Sequence, residues 1–264
     1  MIAACLGFRN WHLEHLHQCL LSLEQQAYTM PIIVVDLGSD PFILGVVRQI
    51  TRDRATLIVH PHAEWSRSAA LNLASCHVPF AITHLVFTDA DMIFPSDWGH
   101  VATAMAVNAR DVVWLTRSRD LDQLHTRTLS GVFTQRSLES ITSAHDDVVG
   151  QGAGMLFPRA LFANLRGFDE AYKIWGAEDN DLVRRVQARG TPIAYLPDTF
   201  VVHQWHRRDW VTPAQMEQVR ANRLYLDTRD RHDIVRNLDG WHGDRGWFCE
   251  EQKQEQEKER IIHG

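Results

Sequence analysis

Cysteine is scarce and dispersed. Cys5, Cys19, Cys76 and Cys249 are the only four in 264 residues, and no two form a CxxC pair. That excludes a disulfide scaffold and a cysteine-built zinc site, and it predicts buried thiols in a reducing compartment. No apolar run reaches the roughly 18 residues of a membrane span. The opening Met1-Ile2-Ala3-Ala4-Cys5-Leu6 carries no basic stretch of the signal-peptide kind and leads straight into a strand pattern. A soluble, cytoplasmic protein is therefore expected. The chain also lacks internal repeats, an HExxH helix, and a glycine-rich loop bearing Lys or Arg after its first strand. The last two absences count against a zinc hydrolase and a metal-dependent nucleotidyltransferase. Positive charge is not in excess either. A formal net charge of −6 gives no overall reason to expect nucleic acid or an anionic membrane as partner.

What is present is enough apolar side chain, 45% of residues, for one large core. The length fits a single α/β domain with a C-terminal extension. Residues 2–6, 32–35, 56–59, 84–88 and 112–115 read as strands, and 13–23, 42–50, 68–74 and 98–109 as helices. This alternation predicts a mostly parallel sheet flanked by helices. Ligands in such sheets bind at the carboxyl ends of the strands, where Asp36, Asp89 and Asp91 fall. Residues 117–150 are polar and aperiodic, and a mobile loop is expected there. Further on, 151–157, 193–196 and 199–202 read as strands, and 213–226 as a helix with Pro213 in its first turn. Residues 250–260 are almost entirely Glu, Gln, Lys and Arg, a solvated helix or a disordered tail.

Three segments carry chemistry. In Trp175-Gly176-Ala177-Glu178-Asp179-Asn180-Asp181, carboxylates gather behind a tryptophan and a glycine at a helix start. A carboxylate can take a hydroxyl proton while an aromatic face stacks on a sugar. The plainer reading is a set of acids matched to a helix dipole. Asp181 stands four residues before Arg185, so an i,i+4 ion pair accounts for it. Asp89-Ala90-Asp91 ends a strand and offers hard oxygen ligands to Mg²⁺ or Mn²⁺. His203 could complete that shell, with His206 as the competing ligand, and Arg207 and Arg208 stand next to them to neutralise a diphosphate. Arg9 and Asp36 could meet a base or ribose. Trp205, Trp210, Trp241 and Trp247, with Arg207, Arg208 and Arg245, line a sugar or base site or dock the C-terminal segment.

Taken in order, Phe8-Arg9-Asn10, Val34-Val35-Asp36-Leu37-Gly38-Ser39-Asp40, the segment 65–72, Asp89-Ala90-Asp91, and Gly167-Phe168-Asp169-Glu170 followed by residues 175–182 resemble the GT-A-fold glycosyltransferases. The likeness is to the inverting family-2-like enzymes and to the galactosyltransferase C-terminal domain of the β-1,4-galactosyltransferase and chondroitin polymerase type. It implies a GT-A, Rossmann-like domain over residues 1–210, with a nucleotide-binding half at about 1–115 and an acceptor half at about 150–210. Residues 211–264 would be a helical extension with a charged tail. It further implies a metal-dependent inverting hexosyltransferase that uses Mn²⁺ or Mg²⁺ and a UDP-hexose or UDP-N-acetylhexosamine.

Residue by residue, the resemblance gives Asp36 and Arg9 to the uracil or ribose and Arg67 to the base or diphosphate. Asp91 and His203 become metal ligands, and Asp89 serves the ribose or the metal. Asp179 becomes the catalytic base, and Glu178 the acceptor-positioning carboxylate. Trp175 borders the acceptor site, and Trp175 and Gly176 are given to nucleotide-sugar binding. Leu37 stands where a second Asp of the nucleotide loop is common, which leaves the base open. A loop within 117–150, or the one at Ile174-Trp175-Gly176, is expected to close over the donor. The acceptor class stays open between glycan, lipid-linked saccharide, protein, small molecule and a hydroxylated base in phage DNA. A nucleotidyltransferase remains the competing enzyme class.

Overall fold

The computed structural model describes residues 1–241 except 63, 130, 132, 145–151, 208–210 and 231, together with the side chain of residue 144. Cys249, Arg208, Trp210, Arg245, Trp247 and the charged tail lie outside the described residues.

The first half alternates strand and helix as expected: β1 (Ile2–Phe8), α1 (Leu13–Glu24), β2 (Ile32–Asp36), α2 (Pro41–Thr51), β3 (Thr56–Val59), α3 (Arg67–Cys76) and β4 (His84–Thr88). A two-residue strand β5 (Met92–Ile93) and α4 (Trp98–Asn108) follow. Next come β6 (Val113–Leu121), α5 (Gln123–Thr128), α6 (Gln135–Glu139), β7 (Thr142–Ala144), β8 (Met155–Pro158) and α7 (Arg159–Asn164). The described chain ends with α8 (Glu178–Ala188), β9 (Ile193–His203) and α9 (Pro213–Thr228). The strands form one sheet in the order β3-β2-β1-β4-β8-β6-β9-β5, with β7 on β6. Pairing is parallel from β3 to β4, antiparallel on both sides of β8, parallel between β6 and β9, and antiparallel between β9 and β5. The α/β class holds, and the parallel pairing is concentrated among the first four strands, β1 to β4.

Side chains of β1 alternate between two cores. Ala3 and Cys5 face Ala70, Ala74, Phe162, Leu182 and Val186 of α3, α7 and α8. Ile2, Ala4, Leu6 and Phe8 face Leu16, Leu20, Trp98 and Ala102 of α1 and α4. Period-two burial on both faces makes a central strand read as an unbroken apolar run. Cys5, Cys19 and Cys76 are buried thiols.

Two expectations are corrected. The polar stretch after residue 116 continues β6 to Leu121 and adds α5, α6 and β7, closed by a small core of Ile93, Leu121, Leu138, Phe200 and Val202. The two short strands expected at 193–202 are one strand, β9, whose partner β6 shifts register between Leu115 and Arg117. No described helix is long and apolar enough to cross a membrane.

Candidate active site

The carboxyl ends of β1, β2 and β4 form one rim. Phe8 pairs with Asp36, so Arg9 leaves β1 beside the end of β2. Asp36 is fully buried; its Oδ1 accepts from the Ser39 amide at 3.0 Å, and its Oδ2 has no hydrogen-bond partner. The turn that follows needs Gly38: its φ is +82°, and a Cβ there would stand 2.5 Å from the His62 carbonyl oxygen.

Arg67 opens α3 behind Ser66, whose hydroxyl caps the helix by accepting from the Ala69 amide at 3.2 Å. Its guanidinium gathers three distant segments. Nε donates to Asp89 at 2.6 Å, Nη1 to Glu178 and Asp179 at 3.2 Å each, and Nη2 to the Gly152 carbonyl at 3.2 Å. One cation among three carboxylates leaves excess negative charge. Glu178 is buried; that burial, followed by the charge of Asp179, pushes its carboxyl up to about 8 despite Arg67. Its Oε2 is buried without a partner. The Asp179 side chain keeps 23% exposure against 3% for Glu178, so Asp179 is the carboxylate a substrate can reach. Gly152 makes room for this cluster. A Cβ on it would stand 2.6 Å from Asp179 Oδ2 and 2.8 Å from Arg67 Nη2.

Asp91 forms a second cluster. Its Oδ2 is 3.5 Å from His203 Nε2 and 3.4 Å from His206 Nε2. One ligand atom from each of the three lies within 4.8 Å of the others. The sheet builds this arrangement: β5 pairs with β9 so that Met92 opposes His203, and the Gln204 amide donates to the Asp91 carbonyl. Burial disfavours ionised Asp91, but hydrogen bonds from the two imidazoles outweigh it and hold the carboxyl below its usual range. The mirror effect raises His203: burial lowers it, and Asp91 with Asp120 more than reverses that, to about 9. Both histidines, not one of the two, therefore meet Asp91. Asp89 is not part of this cluster; its Oδ1 is taken by Arg67.

The loop before α8 is strained. Ile174 (φ 61°), Gly176 and Ala177 (φ 76°) all have positive φ, which is rare for a β-branched residue. Hydrogen bonds hold it. Ile174 exchanges backbone bonds with Trp65 and Arg67. Asn222 of α9 donates to the carbonyls of Lys173 at 2.7 Å and Trp175 at 2.9 Å. Asn237 donates to the carbonyls of Arg166 and Phe168 and accepts from the Glu170 amide. Asp181 pairs with Arg185 at 2.7 Å, as the spacing predicted, and also with Arg236 at 3.0 Å. Trp241 is buried in the core against Phe162, so of its two expected roles it takes the docking one. Gly152, Asn222, Asn237 and Arg236 carried no motif signal.

Residues 10–224 match the family described as glycosyltransferase like family 2, and the chain belongs to that family. No curated protein matches it by sequence. Several solved structures share its fold. The mannosyltransferase PcManGT from Pyrobaculum calidifontis, in complex with GDP-Man and Mn²⁺, is 18% identical with a TM-score of 0.58. That match covers 86% of this chain and 70% of the other. GalNAc-T7 with UDP, GalNAc and Mn²⁺ is 14% identical with a TM-score of 0.59, over 86% of this chain and 49% of the other. S. aureus TarS 1-349 in complex with UDP is 16% identical with a TM-score of 0.59, over 88% and 68%. The chain is a GT-A-fold glycosyltransferase.

Proposed function

We propose that the chain is a metal-dependent inverting hexosyltransferase, moving a sugar from a UDP-hexose or UDP-N-acetylhexosamine to an acceptor hydroxyl. One observation carries the reading. Asp89 and Asp91 leave the same strand end, and one reaches the carboxylate pair Glu178 and Asp179 through Arg67 while the other meets His203 and His206. The Mn²⁺ of two of the solved neighbours, the GDP-Man of one and the UDP of the other two support it by likeness of fold.

The donor set of one carboxylate and two imidazoles suits a divalent first-row ion such as Mn²⁺ better than Mg²⁺, which favours all-oxygen shells. Asp91, His203 and His206 would hold it, and a bound cation there supplies charge neutralisation to a departing diphosphate. Arg9 and Asp36 bind the nucleoside, a role supported by the Asp36 Oδ2 having no hydrogen-bond partner within the protein. Asp89 and Arg67 stand between nucleoside and sugar. Trp175 and Gly176 border the sugar and acceptor.

Asp179 accepts the acceptor's proton as its oxygen closes on the anomeric carbon from the face opposite the diphosphate, inverting configuration in one displacement. Glu178 keeps its proton at neutral pH and, buried beside Asp179 on Arg67, fixes the place at which Asp179 meets the acceptor. Residues 1–210 form the catalytic unit and 211–264 its extension. Replacing Asp179 by Asn should lower transfer by about 10²–10⁴-fold while titration calorimetry still detects UDP binding with Mn²⁺. Turnover close to normal in that variant removes Asp179 as the base.

A further inference from the structure

β6 and β9 run parallel with Asp120 directly opposite His203. The pairing sets a carboxylate against one edge of the imidazole while Asp91 faces the other. His203 Nδ1 is 3.2 Å from Asp120 Oδ1, and its Nε2 is 3.5 Å from Asp91 Oδ2. The ring of His206 stands edge-on to it, with centroids 5.1 Å apart. Asp120 is not among the three residues whose ligand atoms converge. Its neighbour Arg119 turns away: it donates to Thr142 at 2.8 Å and lies over the Phe200 ring.

We propose that Asp120 is a positioning residue of the metal centre: it accepts from His203 Nδ1–H and so points the Nε2 lone pair at the cation shared with Asp91 and His206. A neutral imidazole has one donor nitrogen and one acceptor nitrogen. An accepting oxygen at Nδ1 settles which is which, and it stops the ring from turning its wrong edge to the site. A carboxylate in that place also raises the basicity of the coordinating nitrogen. The strand ladder makes the device rigid, since both residues sit on paired strands and not on free loops. The inference rests on the reading of Asp91, His203 and His206 as the metal site.

Mn²⁺ alone is the probe. Calorimetric titration of the full chain should give affinity about 10–100-fold weaker for Asp120→Ala, and a smaller loss for Asp120→Asn, which keeps an accepting oxygen. Pulsed EPR of bound Mn²⁺ should report two coupled imidazole nitrogens in the wild type and a weakened second coupling in Asp120→Ala. A merely structural role would move the unfolding midpoint of the metal-free protein and leave the nitrogen couplings alone. If Asp120→Ala binds Mn²⁺ as tightly as the wild type with the same couplings, the proposal is overturned and the site stands. If the wild type binds no better than Asp91→Ala, the site and the proposal fall together.

Discussion

Glu178 and Asp179 are adjacent in sequence and differ in nearly everything else. Glu178 is buried, with its carboxyl raised from 4.5 to about 8, whereas Asp179 keeps access to solvent. Between those two pH values the folded chain holds one proton at Glu178 that the unfolded chain has lost. Stability from this residue is therefore full below pH 4.5 and falls as pH rises toward 8, by at most about 1.4 kcal/mol per pH unit. Glu178→Gln never ionises, so its thermal midpoint should decline less than that of the wild type between pH 5 and pH 8. Parallel declines would mean the Glu178 carboxyl ionises in the ordinary range. Residues such as Asp89 and Asp91 were legible because a short polar motif ended an apolar strand. Gly152 and Asp120 were not legible, because what makes each important is a side chain at least 27 positions away in sequence, Asp179 for the first and His203 for the second.

At the scale of elements, α8 depends on chain that follows it by many residues. Arg236 is buried, pairs with Asp181 at 3.0 Å and lies 3.4 Å from Asp169. Asn222 and Asn237 hold the strained loop from Gly167 to Ala177 that aims the helix. Removing one partner of a buried ion pair costs about 3–5 kcal/mol. Arg236→Ala should lose stability on that scale in denaturant unfolding, and a loss below 1 kcal/mol would show that Asp181 is satisfied by Arg185 alone. The strands of the first half were legible because each is a short apolar run between turn residues. The continuation of β6 past Thr116 was not: Arg117-Ser118-Arg119-Asp120 is polar because that part of the strand is half exposed. Its strand identity comes from pairing with β7 and β9, which no local pattern reveals.

Across the whole molecule, the sheet brings two clusters to one rim through the loop that joins β4 to β5. Asp89 turns to Arg67 and the carboxylates of α8, and Asp91 turns to the histidines at the end of β9. The order of motifs along the chain was enough to expect a GT-A domain, because the fold repeats a fixed succession of strand ends. It could not show that β8 inserts antiparallel between β4 and β6, or that chain beyond residue 224, where the family match ends, returns to brace α8 and the loop before it. The central claim is that a divalent cation and Asp179 serve one transfer from a nucleotide sugar. Its most direct test is release of nucleoside diphosphate from a panel of UDP-hexoses and UDP-N-acetylhexosamines, with Mn²⁺ and with excess chelator. The account predicts release with Mn²⁺ that chelator abolishes and that Asp91→Ala lacks. Full turnover in chelator, or no release from any of these donors by the folded chain with Mn²⁺, would contradict it.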